Sequence, residues 1–506
     1  MDEHAARAQA GTPRPPLGPR YLRLLGSAAA ANLGDGLMAV AVVWLATSLT
    51  RDPVLITVVA LASRLPWLLF TLHAGVLADR YDRVRLVAWM DAVRAALVTV
   101  LTAAVVLVQD DLPDPAQIAA GAAPAAGSGW VLAALCTAAF LLGLAEVVRD
   151  NAAQTMLPTI VPHARLETAN GRLWGVETVT NSFLGPPVAG ALIGVAAAVP
   201  FGVNAGLLAI AAVLVASIAR TTTPSRTSPR NVACGPNGQS AHTPQTAHGA
   251  QAGHAAHAHS ASWSADIVEG FRWLWSHRVL RDLALTLGAM NMLGALTSAV
   301  FVLFVQDVLG LFAGWQFGLM LTGMAVGAVI ASLVGDRVTE RLRPGTALSL
   351  SVSGMVVATL VIALSSHAAV VWTAGAVEGF FVVVWNIVTV SFRQRIIPDH
   401  LLGRVNSVYR LFGWGTIAVG SLTGGLVVAA MEPFVGREWA LRSVFLLTAT
   451  GMLCALLIVV RRLSNHAIDS ALAAQPARTD QSTRDGQPAR DGQPVRDDRP
   501  SRDDQS

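Results

Sequence analysis

The chain of 506 residues contains no lysine; all 36 of its basic side chains are arginine. A Walker-type phosphate loop needs a lysine on the nucleotide phosphates, and a Schiff-base enzyme needs a lysine amine. Both mechanisms are therefore excluded. Charge of either sign is scarce: charged residues make up 13% of the chain, against roughly 25% in a soluble domain. The three cysteines, Cys136, Cys234 and Cys454, form no CxxC pair, so neither a disulfide framework nor a metal site is expected. The net charge is only +4 and no basic face is clustered, which argues against nucleic-acid binding.

What is present is apolar length. Hydrophobic residues are 53% of the chain and fall into long runs. Apolar runs of this kind are membrane spans. The pattern predicts twelve: 24–49, 54–78, 84–108, 130–157, 170–195, 199–219, 281–305, 315–335, 345–366, 369–392, 405–431 and 439–461. Each is long enough, at about 1.5 Å per residue, to cross a hydrocarbon core about 30 Å thick. The fold expected is all-α, integral to the membrane, with twelve transmembrane helices in two six-helix bundles.

Arginine sets the orientation. With the N-terminus inside, the cytoplasmic loops hold Arg80, Arg83, Arg85, Arg165, Arg172, Arg337, Arg341, Arg343, Arg393, Arg395 and Arg404, while the outer side holds Arg51, Arg437 and Arg442. The positive-inside rule then places both termini in the cytoplasm. Residues 1–20 are polar, Pro-rich and expected to be disordered, and the first apolar run is too long for a cleavable leader. A bundle over 21–219 is followed by a disordered linker, 220–263, containing His242, His248, His254, His257 and His259. No acidic residue joins these histidines, so they read as low-complexity linker rather than a metal tract. The second bundle, 264–463, opens on an amphipathic segment (264–277) carrying Phe271, Trp273 and Trp275, predicted to lie in the membrane interface. A Pro- and charge-rich tail, 464–506, is expected to be flexible.

The halves echo each other. Pro158, Asn170, Gly185 and Gly190 correspond to Pro398, Asn406, Gly420 and Gly425, at offsets of 235–240 residues. A parallel six-plus-six repeat is the mark of a duplicated transporter half. Small-residue spacings such as Gly190/Gly194, Gly323/Gly327 and Gly420/Gly424 allow close helix approach in lipid.

The second and third spans are joined by GVLADRYDRVR, residues 75–85. This resembles the loop signature of the major facilitator superfamily, with Gly75, Asp79, Arg80 and Arg83 at the matching positions and Asp82 where many members carry a second glycine. NLGDG (32–36), EVVRDNAAQTMLP (146–158), ANGRLWGVE (169–177), GPPVAG (185–190) and GRVNSVYRLFGWG (403–415) resemble the branch that includes macrolide and enterobactin exporters. The resemblance covers nearly all of residues 20–460. It implies a monomeric plasma-membrane transporter without cofactor. It also implies that the 75–83 loop latches the two halves on the cytoplasmic side. Gly185, Pro186 and Gly190 stand where antiporters of the superfamily have a Gly/Pro motif in the fifth helix, although here the motif is shorter.

Ionisable groups within spans are costly and point to function. Asp35 lies about 17 Å into the first span at helical rise, as a proton carrier or cation contact, or else in a structural hydrogen bond with Asn32. Glu146, Arg149 and Asp150 share one face of the fourth span, as a proton-binding acid tuned by arginine or as a structural ion-paired triad. Arg64, Asp91 and Arg94 are expected to pair with one another or with Asp35. Glu177 and Glu378 either line the central path or are buried partners. Phe301, Phe304, Phe380, Phe381, Trp385 and Trp414 offer bulk to an apolar substrate or to packing and lipid.

Three functions compete. The first is proton-coupled efflux of small amphipathic molecules of drug, macrolide or siderophore type by alternating access, with protons and the bilayer as partners. The second is a non-transporting receptor or scaffold on the same fold. The third, a membrane enzyme, rests on DDLPD (110–114), which has the spacing of a diphosphate-binding acidic motif; Pro113 breaks the helix that motif needs.

Overall fold

The computed structural model describes residues 17–123, 127–162, 165–220, 263–397 and 399–473. Most of the 220–263 linker, Cys234, the linker histidines and all of the tail beyond residue 473 lie outside them. Among the described residues every regular element is helical. Among the described residues six long helices form the first half: α1 (Gly18–Leu49), α2 (Pro53–Arg80), α3 (Arg83–Val106), α4 (Ser128–Ile160), α5 (166–193) and α6 (Val199–Arg220). Six form the second: α7 (Arg278–Asp307), α8 (Gly314–Arg341), α9 (Pro344–Leu364), α10 (Ala368–Ile396), α11 (399–435) and α12 (437–462).

The boundaries follow local chemistry. Asp52 caps α2, accepting from the Val54 and Leu55 amides, and Pro53 fills the first turn where no N–H is needed. Asp82 caps α3 by accepting from Arg85 N at 2.8 Å, which gives the residue that replaces a family glycine a structural role. Between α11 and α12 the chain turns at Gly436, whose φ of 77° is open to glycine without a Cβ penalty. The helix α5 is divided. Its middle, Thr178–Leu184, widens into a π-turn just before Pro186 and Pro187. Consecutive prolines cannot donate to the carbonyls behind them, and the wider turn absorbs the defect.

The helices are apolar all round. Val100, Val213 and Leu333 are 70%, 68% and 72% exposed, an arrangement that lipid, not water, satisfies. The amphipathic segment forms a helix, Trp263–Ser276, anchored by buried Leu274, with Phe271 and Trp275 stacked on its exposed face at 5.0 Å. The tail departs from expectation at its start. Residues Asn465–Ala473 form a short helix because Ile468 is buried, Asn465 accepts from the Gly345 amide at 2.8 Å, and Asp469 pairs with Arg343 at 2.5 Å.

Two ends of the bundle differ in how the halves meet. Around the α1–α2, α7–α8 and α11–α12 turns one continuous core joins both halves, running through Leu45, Ile56, Phe201, Phe304, Phe317 and Phe445. Around the α2–α3 and α8–α9 turns the core separates. Trp67, Leu86 and Val148 belong to a cluster of the first half alone, as do Tyr21 and Met156, whereas Leu283, Met355, Trp385 and Tyr409 belong to a cluster of the second. The molecule is closed at the first end and divided at the second.

Glycine sets the closest helix approaches. A Cβ at Gly327 on α8 would run into the carbonyl of Ala376 on α10, whereas one at Gly375 meets nothing nearer than 3.8 Å. Gly327→Leu is expected to cost about 1–3 kcal/mol through overpacking and to lower the melting temperature of the purified protein. Gly375→Ala should leave it unchanged, so equal melting curves for both variants would contradict this contact.

Candidate functional site

The charges inside the first half form a chain rather than separate pairs. Arg94 on α3 donates to Asp35 on α1 and lies 3.6 Å from Asp91, one turn earlier on its own helix. Arg149 on α4 approaches the same Asp91 oxygen at 3.3 Å and binds Asp150 at 2.9 Å. The order is Asp35, Arg94, Asp91, Arg149, Asp150, with charge alternating along it. Asp91 is fully buried, whereas the Asp35 and Asp150 side chains at the two ends keep 20% and 30% exposure. A charge within a span avoids lipid and faces protein or water, so these ends are the parts of the chain open to water. Neither Asp91 oxygen has a hydrogen bond of good geometry among the described residues; it is held by its two guanidinium neighbours.

Of the pairings expected among Arg64, Asp91, Arg94 and Asp35, those of Arg94 with Asp35 and Asp91 form, whereas Arg64 makes no ion pair among the described residues. Sequence reasoning did not anticipate the partners on α4. Glu146 makes no ion pair among the described residues, so the expected Glu146–Arg149–Asp150 triad is replaced by Arg149 bridging Asp150 and Asp91. The helical register puts Glu146 on the right face, but Asp91 on the neighbouring helix takes the guanidinium. Glu146 instead senses Asp35, Arg94, Asp150 and Arg64 through space. Asn32 does not bind Asp35; it donates to Ala28 O at 2.9 Å within α1. Glu177 at the head of the π-turn is exposed and within electrostatic reach of Asp150, Arg149 and Asp35. Five carboxylates (Asp35, Asp91, Glu146, Asp150, Glu177) thus share three guanidiniums (Arg64, Arg94, Arg149). The excess of acid in a low-dielectric site favours a cation there.

The Gly/Pro segment ties this cluster to the second half. Gly185 packs on Gly36, the residue after Asp35, where an added Cβ would lie 2.6 Å from the Gly36 Cα. At the next residue Pro186 O abuts Gly318 of α8, and about a turn further on Gly190 abuts Gly314 and Trp315. The helix α5 is therefore wedged between α1 and α8.

The 75–83 loop lies at the divided end. Gly75 and Asp79 fall in the last turns of α2, and Arg80 is exposed. Arg83 donates to Thr155 O of α4 at 3.0 Å, inside its own half. Among the described residues no ion pair joins Arg80 or Arg83 to the second half, in keeping with the divided core at that end. The second half has one acid deep in its spans. Glu378 shares the α10 face of buried Val371, Ala374, Trp385 and Thr389, with no ion pair among the described residues. Of the aromatics, Phe304 and Trp385 are buried packing residues, Phe304 lying 4.7 Å from Phe445. Phe380 and Phe381 form an edge-on pair at 5.3 Å.

The joint at the closed end was not foreseen. Arg51, in the α1–α2 turn, pairs with Asp307 at the end of α7 and donates to Gln306 Oε1 at 2.5 Å. Arg437 reaches the other Asp307 oxygen at 3.0 Å, Glu432 at 2.9 Å and the Arg51 carbonyl at 2.9 Å. Gln306 Nε2 donates to Thr47 Oγ1 at 3.0 Å. Burial pushes the Arg51 guanidinium below its usual range, with Asp307 opposing that shift. The signal was in the sequence, since Arg51 and Arg437 are two of only three arginines assigned to that side.

A family model described as Major Facilitator Superfamily matches residues 24–421. The multidrug efflux pump Tap of Mycobacterium tuberculosis (strain ATCC 25618 / H37Rv) is 28% identical over 472 residues, covering 90% of this chain and 96% of that protein. The enterobactin exporter EntS of Escherichia coli O1:K1 / APEC is 27% identical over 202 residues, 39% of this chain and 46% of that one. Among solved structures, a bacterial homologue of the iron transporter ferroportin in its inward-facing state superposes with a TM-score of 0.62 at 15% identity, covering 87% of this chain and 98% of that one. The nucleoside transporter NupG gives 0.61 at 12% identity, covering 88% and 99%. At these identities the superpositions speak for the fold.

Removing one partner of a buried pair costs about 3–5 kcal/mol. Arg51→Glu should therefore unfasten the closed end. Spin labels at positions 195 and 434, exposed on opposite halves, are expected to report a longer distance in that variant. The charge-keeping Arg51→Lys should hold the short one, since Asp307 keeps a cation there and keeps Arg437. An unchanged distance in Arg51→Glu would mean that apolar packing alone holds this end.

Proposed function

This chain belongs to the major facilitator superfamily, and from that premise we propose that it is a proton-coupled exporter of small amphipathic molecules, cationic ones foremost. That it is a membrane transporter and not an enzyme follows from the family; direction, coupling ion and substrate class are our reading. The observation that carries it is the acid excess around Asp35, Arg94, Asp91, Arg149 and Asp150, partly open to water. Such a site gains from one added positive charge, and a proton and a cationic substrate compete for it. The named efflux pump among the relatives supports export.

In this reading residues 21–219 and 264–463 are the two bundles that rock about the central path. The N- and C-termini are cytoplasmic, the chain is a monomer in the plasma membrane, and the divided end faces the cytoplasm. The conformation is inward-facing. The Arg51–Asp307–Arg437 joint is the outer closure, and the 75–83 loop fastens the inner end only when the halves swing together. Glu177 and Glu378 lie where a cationic substrate can meet an acid in either half, and Gly185, Pro186 and Gly190 carry movement of α1 to α8. Protonation of Asp35 releases Arg94 and loosens α1 from α3, which lets α1 shift against α5.

Cells producing the chain should accumulate less of a cationic dye such as ethidium, and a protonophore should abolish the difference. Asp35→Asn is expected to reach the membrane at normal level and lose most of this activity, as a lost proton-transfer group costs about 10²-fold or more. Full protonophore-sensitive efflux by that variant would remove Asp35 from the coupling path.

A further inference from the structure

We propose that Asp91 is a positioning residue that couples the two partly exposed carboxylates, Asp35 and Asp150, through the arginines it holds between them. The inference rests on the proton-coupled reading above and deepens it. Asp91 is the one member of the five-residue chain with no exposure, and both of its neighbours in that chain are cations: Arg94 at 3.6 Å and Arg149 at 3.3 Å. Each arginine has a second carboxylate at the rim, Asp35 for Arg94 and Asp150 for Arg149. Both arginines address the same oxygen, Oδ1, and neither Asp91 oxygen has a hydrogen bond to fix it. Arg94 Nε and Nη1 and Arg149 Nε are likewise buried without a hydrogen bond. The centre of the chain is a pair of incompletely satisfied contacts competing for one atom.

Competition of this kind transmits a charge change. When Asp35 is neutralised, Arg94 loses its rim partner and moves fully onto Asp91. Asp91 then holds Arg149 less, and Arg149 moves toward Asp150. Neutralising Asp150 drives the same sequence in reverse. Linkage requires the two effects to be equal in free energy. One further charge lies within reach of both rims, Glu146, which acts on Asp35, Arg94 and Asp150. On α3 only Arg94 faces Asp91; on α4, Arg149 does, with Asp150 and Glu146 beyond it. On α1 it is Asp35, through Arg94, and Glu177 of α5 reaches only Asp150, Arg149 and Asp35. On α2, Arg64 acts on Glu146, and His73 sits further along beside Phe70. The helix α6 packed on α3 carries no ionisable side chain before Arg220.

The alternative is direct repulsion between Asp35 and Asp150, alone or through Glu146, which needs no Asp91. A double-mutant cycle separates the two. The purified full-length chain in lipid nanodiscs is titrated while the infrared carbonyl band of protonated carboxyl groups is followed. The bands of Asp35 and Asp150 are assigned by their loss in Asp35→Asn and Asp150→Asn. With Asp91 present, Asp35→Asn should shift the Asp150 midpoint by about one pH unit, the scale of one displaced charge contact, roughly a tenfold change in proton affinity. With Asp91→Asn that shift should vanish, and with Asp91→Glu it should return. Asp91→Asn leaves two buried arginines short of a partner and risks misfolding. The double variant Asp91→Asn with Arg94→Gln removes a buried pair together and severs the same relay, so the shift must vanish there as well. An undiminished Asp150 shift in either background would overturn the relay in favour of direct repulsion while leaving proton coupling intact. If neither carboxyl group titrates between about pH 5 and 9, the proton-coupled reading fails and the relay with it.

Discussion

A carboxylate with no access to water, in a span surrounded by apolar helices, is tolerable only when guanidinium groups stand against it. Asp91 is that carboxylate, and much of the first half is arranged around its need. It draws Arg94 and Arg149 inward from two helices, and they in turn fix where Asp35 and Asp150 stand. The helices α1, α3 and α4 are thus registered against one another by charge as well as by packing. A buried ion pair adds little net stability over an apolar substitute, but it penalises every other register heavily. The site and the helix arrangement are therefore one problem with one solution, and disturbing the site disturbs the half that contains it.

The two ends of the molecule divide the remaining work. At one, apolar side chains from both halves form a single core, reinforced by the Arg51–Asp307–Arg437 joint. At the other, each half closes its own core. Between them α5 is held by glycine contacts to α1 on one side and α8 on the other. Its π-turn, imposed by consecutive prolines, lies beside the acidic cluster. The same segment therefore touches the cluster and the partner half, which gives a change at Asp35 a short mechanical route out of its own bundle.

Most of the fold was legible in the sequence because lipid imposes simple rules. A span must be apolar for about 20 residues, and all twelve predicted segments coincide with helices. The amphipathic segment ending near His277 is helical too, and the Gly/Pro segment lies within α5. The site was legible in part. Asp35 and Arg94 were found because ionisable residues are rare in spans, but sequence spacing orders residues along one helix and is silent between helices. Glu146 therefore seemed bound to Arg149, whereas Asp91 from α3 holds it. The Arg51–Asp307 joint was missed for the same reason, since its members are 256 residues apart. The helix at 465–473 was missed because one buried side chain, Ile468, leaves too weak a signal against a polar tail.

The two halves are built on one repeat, yet their ionic furniture is unequal. The first is cross-linked through its middle by charge; in the second, Glu378 stands without an ion pair among the described residues and the interior is aliphatic and aromatic. The consequence is evolutionary. An exchange in the first half that touches any member of the chain strands a buried charge, and its cost is steep. An exchange in the second trades one apolar shape for another at the modest cost of repacking. A lineage carrying this architecture is thereby free to reshape the interior of one half while the charge chain of the other stays fixed.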